Sequence, residues 1–167
     1  MGPSEMKQVY LARGAILLLA FVSLRAQTLL LPPSVVTRGA SGTLLLTLQS
    51  PSGRAPLALQ WEFTFSQNVA VDLADIVAGS AAESAEKSLT CRVFEKTKDS
   101  SPGSVCGCIL AGGVKPIPNG PVAIVRYRVP AEIRQIAGRV QVKKAVGVTA
   151  DLKKIEIEGV QAAIIVK

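Results

Sequence analysis

Apolar and polar residues alternate most regularly over 57–65, where the chain reads LALQWEFTF. Leu57, Leu59, Trp61, Phe63 and Phe65 share one parity, and Ala58, Gln60, Glu62 and Thr64 share the other. A period of two sends successive side chains to opposite faces of an extended chain, so this stretch predicts a strand with those five residues in a core and the others toward water. Further extended stretches are read at 34–38, 43–49, 69–77, 89–94, 105–110, 122–129, 139–148, 155–158 and 162–166. Between them stand turn formers: Gly39, Gly42, Pro51, Gly53, Gly112-Gly113, Asn119-Gly120 and Gly159. The polar stretch 78–87 has room for one helical turn, 131–137 is mildly helical or an irregular crossover, and 95–104 (EKTKDSSPGS) reads as a charged hairpin tip. About nine short strands with turn signals every 8–12 residues predict an all-β, two-sheet sandwich. Neither the βα alternation of a doubly wound sheet nor the long amphipathic runs of a bundle are present.

The length of 167 residues suits one domain with an ordinary core. There is no His in the sequence, which excludes Ser-His-Asp and Cys-His catalysis and every His-bearing metal site. The expectation is a binding module, not an enzyme, with no cofactor. The formal charge of +7 is dispersed. Arg92, Lys96 and Lys98 interleave with Glu95 and Asp99, and Arg126 and Arg128 alternate along an apolar strand. A nucleic-acid footprint is a denser basic patch with stacking aromatics, so no nucleic-acid partner is expected.

Residues 1–26 have the three-part form of a signal peptide: Lys7 and Arg13, then GAILLLAFVSL over 14–24, then Arg25-Ala26. An apolar run of about 11 residues is short for a bilayer core and right for the central region of a signal peptide. Cleavage is expected after Ala26, although Leu24 stands where a small residue is usual. The rival readings are an uncleaved leader, the one expected route to a membrane, and a buried helix of the fold. The predicted location is extracellular, periplasmic or at the cell surface, with the sandwich domain spanning 33–167.

Three cysteines follow: Cys91, Cys106 and Cys108. In an exported chain they are expected to be oxidised. Cys106 and Cys108, two apart on one strand, point to the same face and cannot easily bridge each other. A bridge from Cys91 to either one would staple the tip at 95–104. A three-cysteine metal site lacks the usual paired spacing, and no metal is expected.

Asp72 and Asp75, three apart, are the nearest thing to the carboxylate pair of a glycosidase. They read as loop residues, and Glu83 and Glu86 as a solvated surface. Trp61 and Tyr127 are the candidates for a sugar-stacking platform. Trp61 shares its parity with Leu59 and Phe63, and Tyr127 with Val125 and Val129, so packing in a core is the stronger reading for both. Arg126 and Arg128 lie together on the opposite side of their strand, as a solvated face or an anchor for an acidic partner. No Gly-rich phosphate loop is present.

The order of these signals resembles the bacterial cohesin-type domains, sandwiches related to carbohydrate-binding modules. The resemblance rests on 57–65 (LALQWEFTF), 77–81 (VAGSA), 87–91 (KSLTC), 108–112 (CILAG), 117–125 (IPNGPVAIV) and the region 145–166, and it covers about 33–167. It implies a jelly-roll topology and a protein partner held through one sheet face: a dockerin-like module that brings its own calcium, or another envelope protein. Polysaccharide binding is the alternative. It also implies pairing of Cys91 with Cys108, leaving Cys106 as an extra thiol. Two departures stand out: Gly113-Val114 where a polar residue is usual, and Pro121 directly after the Asn-Gly turn, where it would cost a ladder bond inside a central strand.

Overall fold

In the strand built on the alternating stretch, Trp61, Phe63 and Phe65 are buried together with Leu59. A computed structural model describes residues 26–66, 69–70, 73–94, 105–132, 134 and 137–167. The leader up to residue 25, Asp72 and the tip at 95–104 lie outside the described residues. In chain order the strands are β1 (Thr28–Leu30), β2 (Ser34–Val36), β3 (Ser41–Gln49), β4 (Ala58–Phe65), β5 (Ile76–Ala78), β6 (Ser88–Phe94), β7 (Val105–Ala111), β8 (Gly120–Arg128), β9 (Ala137–Val148), β10 (Lys154–Ile157) and β11 (Val160–Val166). One short helix, α1 (Ser80–Ser84), stands between β5 and β6.

The strands form two sheets. The smaller runs β1-β3-β8-β5, and the larger runs β2-β11-β9-β4-β7-β6 with β10 also on β9. From β1 to β6 successive strands switch between the sheets, as in a jelly roll, whereas β6–β7 and β9–β11 stay within the larger one. The core lies between their inner faces, with Leu44, Leu46, Leu48, Val125 and Tyr127 from the smaller sheet and Leu59, Trp61, Phe63, Cys108 and Leu110 from the larger. The rings of Trp61 and Phe63 meet edge to face with centroids 6.0 Å apart, a favoured aromatic geometry.

Several sequence expectations need correction. Leu57 lies just before β4 at the mouth of the core and is only half-buried, its amide donating to the Val148 carbonyl at the entry to the strand. The sandwich also begins earlier than residue 33. β1 pairs with the far end of β3, Leu29 opposite Leu48, while the side chain of Gln27 is buried and donates to the Arg54 carbonyl. The extended stretch read at 69–77 is in fact an isolated bridge from Ala70 to Arg128, a 3-10 turn over Leu73–Asp75 and the three-residue β5.

Pro121 does sit in a central strand. The β3–β8 register shifts there, with Leu46 opposite Ala123 but Thr47 opposite Pro121. This bulge absorbs the missing donor. Asn119 does not turn a hairpin but clamps the β3 end, its Oδ1 accepting from the Ser50 amide at 2.7 Å and its Nδ2 donating to the Ser50 carbonyl at 3.2 Å. A second bulge lies between β4 and β9, where Glu62 faces Lys143 and Gln60 faces Val146; Lys144 there adopts φ 49°.

Candidate functional site

Gly107 of β7 determines the most distinctive feature of the outer surface. With no side chain at 107, the Phe94 ring from β6 occupies the space above Gly107, where a Cβ would overlap it. The result is a depression of about 380 Å³ on the outer face of the larger sheet, lined by Gln60 and Glu62 of β4, Thr90, Arg92 and Phe94 of β6, and Gly107 and Ile109 of β7. Phe94 and Ile109 are each about half exposed, at 52% and 51%. The rim is charged: Arg92 on one side and, on the other, Glu62, which accepts from Lys144 Nζ at 3.0 Å. Register brings these residues together, since Arg92 lies opposite Gly107 and Gly107 opposite Glu62, with Ile109 between Thr90 and Gln60.

On the other side of the same strands lies the cysteine chemistry. Cys91 and Cys108 are directly opposite in the β6–β7 ladder and form a disulfide, with Cα atoms 4.1 Å apart. Cys106 is free and buried beside it. Burial pushes its thiol up from 9.0 to about 11, against a smaller pull from a hydrogen bond with the Phe63 backbone. Such a thiol is protonated at neutral pH and a poor nucleophile.

The candidate ligand residues from the sequence do not converge on the depression. Trp61 is wholly buried, and Tyr127 is buried with its hydroxyl donating to Ser34 Oγ at 2.8 Å. Neither can stack on a ligand, which removes the aromatic platform that a sugar site needed. Arg126 and Arg128 are exposed, but on the outer face of the smaller sheet, opposite Thr43 and Ser41. Asp75 ends the 3-10 turn before β5, and Glu86 is used in an ion pair with Lys115. Among the described residues no cluster of three or more Cys, Asp or Glu is placed to hold a metal, and no helix is long and apolar enough to cross a membrane.

Charged groups elsewhere also have shifted ionisation. Lys87 is buried at the foot of β6, its ammonium donating to the carbonyls of Gly112 and Gly113, and burial lowers its pKa while Glu86 partly offsets this. Asp151, in the β9–β10 hairpin, is held down at about 2 by hydrogen bonds from Lys153 and Thr149. Both tie loops in place, and neither lines the depression.

No family model and no curated protein significantly matches the sequence. Solved structures do. The type I cohesin of the Coh-OlpA–Doc918 complex from Clostridium thermocellum superposes with a TM-score of 0.69 at 10% identity, over 86% of this chain and 100% of that one. The chain has the cohesin fold. A non-cellulosomal cohesin from the hyperthermophilic archaeon Archaeoglobus fulgidus matches at TM-score 0.64 and 9% identity, over 86% of this chain and 92% of that one. The cohesin module of a family 33 glycoside hydrolase from Clostridium perfringens gives 0.62 and 12%, over 85% and 96%. At such identities the cohesin fold is what the three share with this chain, and side-chain chemistry has to be read from its own residues.

Proposed function

We propose that this cohesin-fold chain is an exported, non-catalytic module that holds a protein partner on the outer face of its larger sheet. The observation that carries this reading is the depression over Gly107, with an apolar floor of Phe94 and Ile109 and a rim carrying Arg92 and Glu62. An apolar centre inside a polar rim is the usual anatomy of a protein interface. The partner we favour is a dockerin-like module, as in the solved cohesin–dockerin complexes of the same fold. Export is supported by the apolar run over 14–24 and by a disulfide, which survives in oxidising compartments. The polysaccharide reading lost its aromatic platform when Trp61 and Tyr127 were found in the core.

The test is titration of the folded chain with a panel of dockerin modules and with proteins captured from the source cell's envelope and medium, in calcium and in chelator. A bound partner should be released at least tenfold more readily by Ile109→Lys and by Phe94→Ala, the size expected for central interface residues. A partner held equally well by both variants would place the binding surface elsewhere. A calcium-dependent complex identifies a dockerin-like partner, and a calcium-independent one another envelope protein. The accompanying test of export is the mass of the mature protein, which should begin at Gln27.

A further inference from the structure

The edge strands of the two sheets are unequal. β1, β2 and β5 are three residues long and β10, which pairs with β9 alone, is four, all too short to template a long strand, and β2 follows the Pro32-Pro33 pair. β6, by contrast, runs seven residues from Ser88 to Phe94 in unbroken register with β7. It has no Pro, no bulge and a single charge, Arg92, and so lacks most of the devices that normally blunt an edge. Among the described residues, no strand covers it.

The hydrogen-bonding phase of this edge follows from the disulfide's position. Directly opposed residues of an antiparallel pair alternate between a wide, hydrogen-bonded spacing of about 5.5 Å and a narrow, unbonded one of about 4.5 Å. Cys91 and Cys108, with Cα atoms 4.1 Å apart, are a narrow pair. The N–H and C=O of Cys91 therefore point away from β7 to the free edge, and by alternation so do those of Leu89 and Val93. We propose that this edge pairs antiparallel with β6 of a second copy of the chain, joining two larger sheets into one across a two-fold axis at Cys91.

The residue pattern favours a second copy because β6 is complementary to itself in this phase. Only odd-numbered residues can form bonded pairs across the axis, and the register with greatest overlap sets Cys91 opposite Cys91, with Leu89 opposite Val93 on either side. That gives about six backbone hydrogen bonds. On the inner face, Val93, which is 56% exposed in the single chain, gains the Leu89 side chain of the other copy as a neighbour. On the outer face, Thr90 stands opposite Arg92, so the two arginines are diagonal rather than face to face. Phe94 lies opposite Ser88, a small residue that leaves room for the ring. Two depressions would then sit side by side on one continuous face.

Sedimentation equilibrium of the purified full chain, from micromolar to near-millimolar concentration, tests the proposal. The wild-type chain should dimerise. Val93→Lys places a charge against Leu89 of the other copy and should leave a monomer, with an unchanged circular dichroism spectrum because the position is exposed. Thr90→Glu places a carboxylate opposite Arg92 twice per dimer and should tighten association by roughly twofold to thirtyfold, the usual range for two cross-strand ion pairs. A chain that stays monomeric at every concentration overturns the proposal, including one whose β6 edge takes up an unrelated extended peptide instead. So does a dimer indifferent to either substitution.

Discussion

Gly42 and Gly107 each leave room for an aromatic ring, Tyr127 in the core and Phe94 on the outer face of the larger sheet. Gly42 lies opposite Tyr127 in the β3–β8 ladder, and a Cβ there would overlap the tyrosine ring. Tyr127 is fixed by its bond to Ser34 and cannot retreat easily. Gly42→Ala should therefore destabilise the fold by about 1–3 kcal/mol, as overpacking does, measured by urea denaturation. An unchanged midpoint would show that the ring has room to move. Gly107 differs because its neighbour, the Phe94 ring, is half exposed and free to swing outward. Cys106 supplies a second prediction at this scale. Its thiol titrates at about 11 in the folded chain against an ordinary 9.0, so the folded state retains a proton that the unfolded state loses between those values. Its contribution to stability is whole below pH 9.0 and declines as pH rises toward about 11. At pH 8 a thiol reagent should label Cys106 only after denaturation, and rapid labelling of the native protein would contradict its burial.

At the scale of elements, the β6–β7 pair is held by two means, the ladder and the bond between Cys91 and Cys108, which are 17 apart in sequence. Closing a loop of that length is worth about 3 kcal/mol in the chain-entropy account. Replacing both cysteines with Ala should lower stability by about that amount, read from denaturant midpoints, while the rest of the larger sheet persists. The β9–β10 hairpin is held by charge instead. Asp151 accepts from Thr149 at 2.5 Å and pairs with Lys153 at 2.6 Å. A depressed carboxyl contributes fully above its ordinary value of 3.8, and the contribution is lost as pH falls through about 2. Amide shifts of Thr149 and Lys153 should follow a titration near 2, and one near 3.8 would show the hairpin open. Elements also show what was legible in the sequence. β4 was readable because one face meets a core and the other water, which writes a period of two into 57–65. β1 was not: Thr28–Leu30 continues the apolar composition of the leader, and only its pairing with β3 marks it as a strand. The depression was equally hidden, because Phe94, Gly107 and Ile109 are unremarkable in sequence until the β6–β7 register places them together.

At the scale of the whole molecule, the sandwich separates two outer faces by the full thickness of its core, about 10 Å between sheets. Arg126 and Arg128 belong to the smaller sheet and the depression to the larger. Substitutions on one face should therefore leave binding on the other unchanged. Arg126→Glu with Arg128→Glu should not alter the affinity of a partner seated over Gly107, apart from a slower, salt-dependent encounter that reflects the lower net charge. A large loss of affinity would place the partner on the smaller sheet. Charge acts over the whole surface here, whereas shape acts at one place.

Because Cys91 and Cys108 join the two stems that carry 95–104, the polypeptide is a covalent ring at that point. A protease that cuts anywhere between the two half-cystines leaves both fragments attached, and they part only under reducing conditions. The ring is also where a foreign epitope or reporter could be spliced in with its ends already fixed close together, beside the Phe94 hollow rather than across the molecule from it.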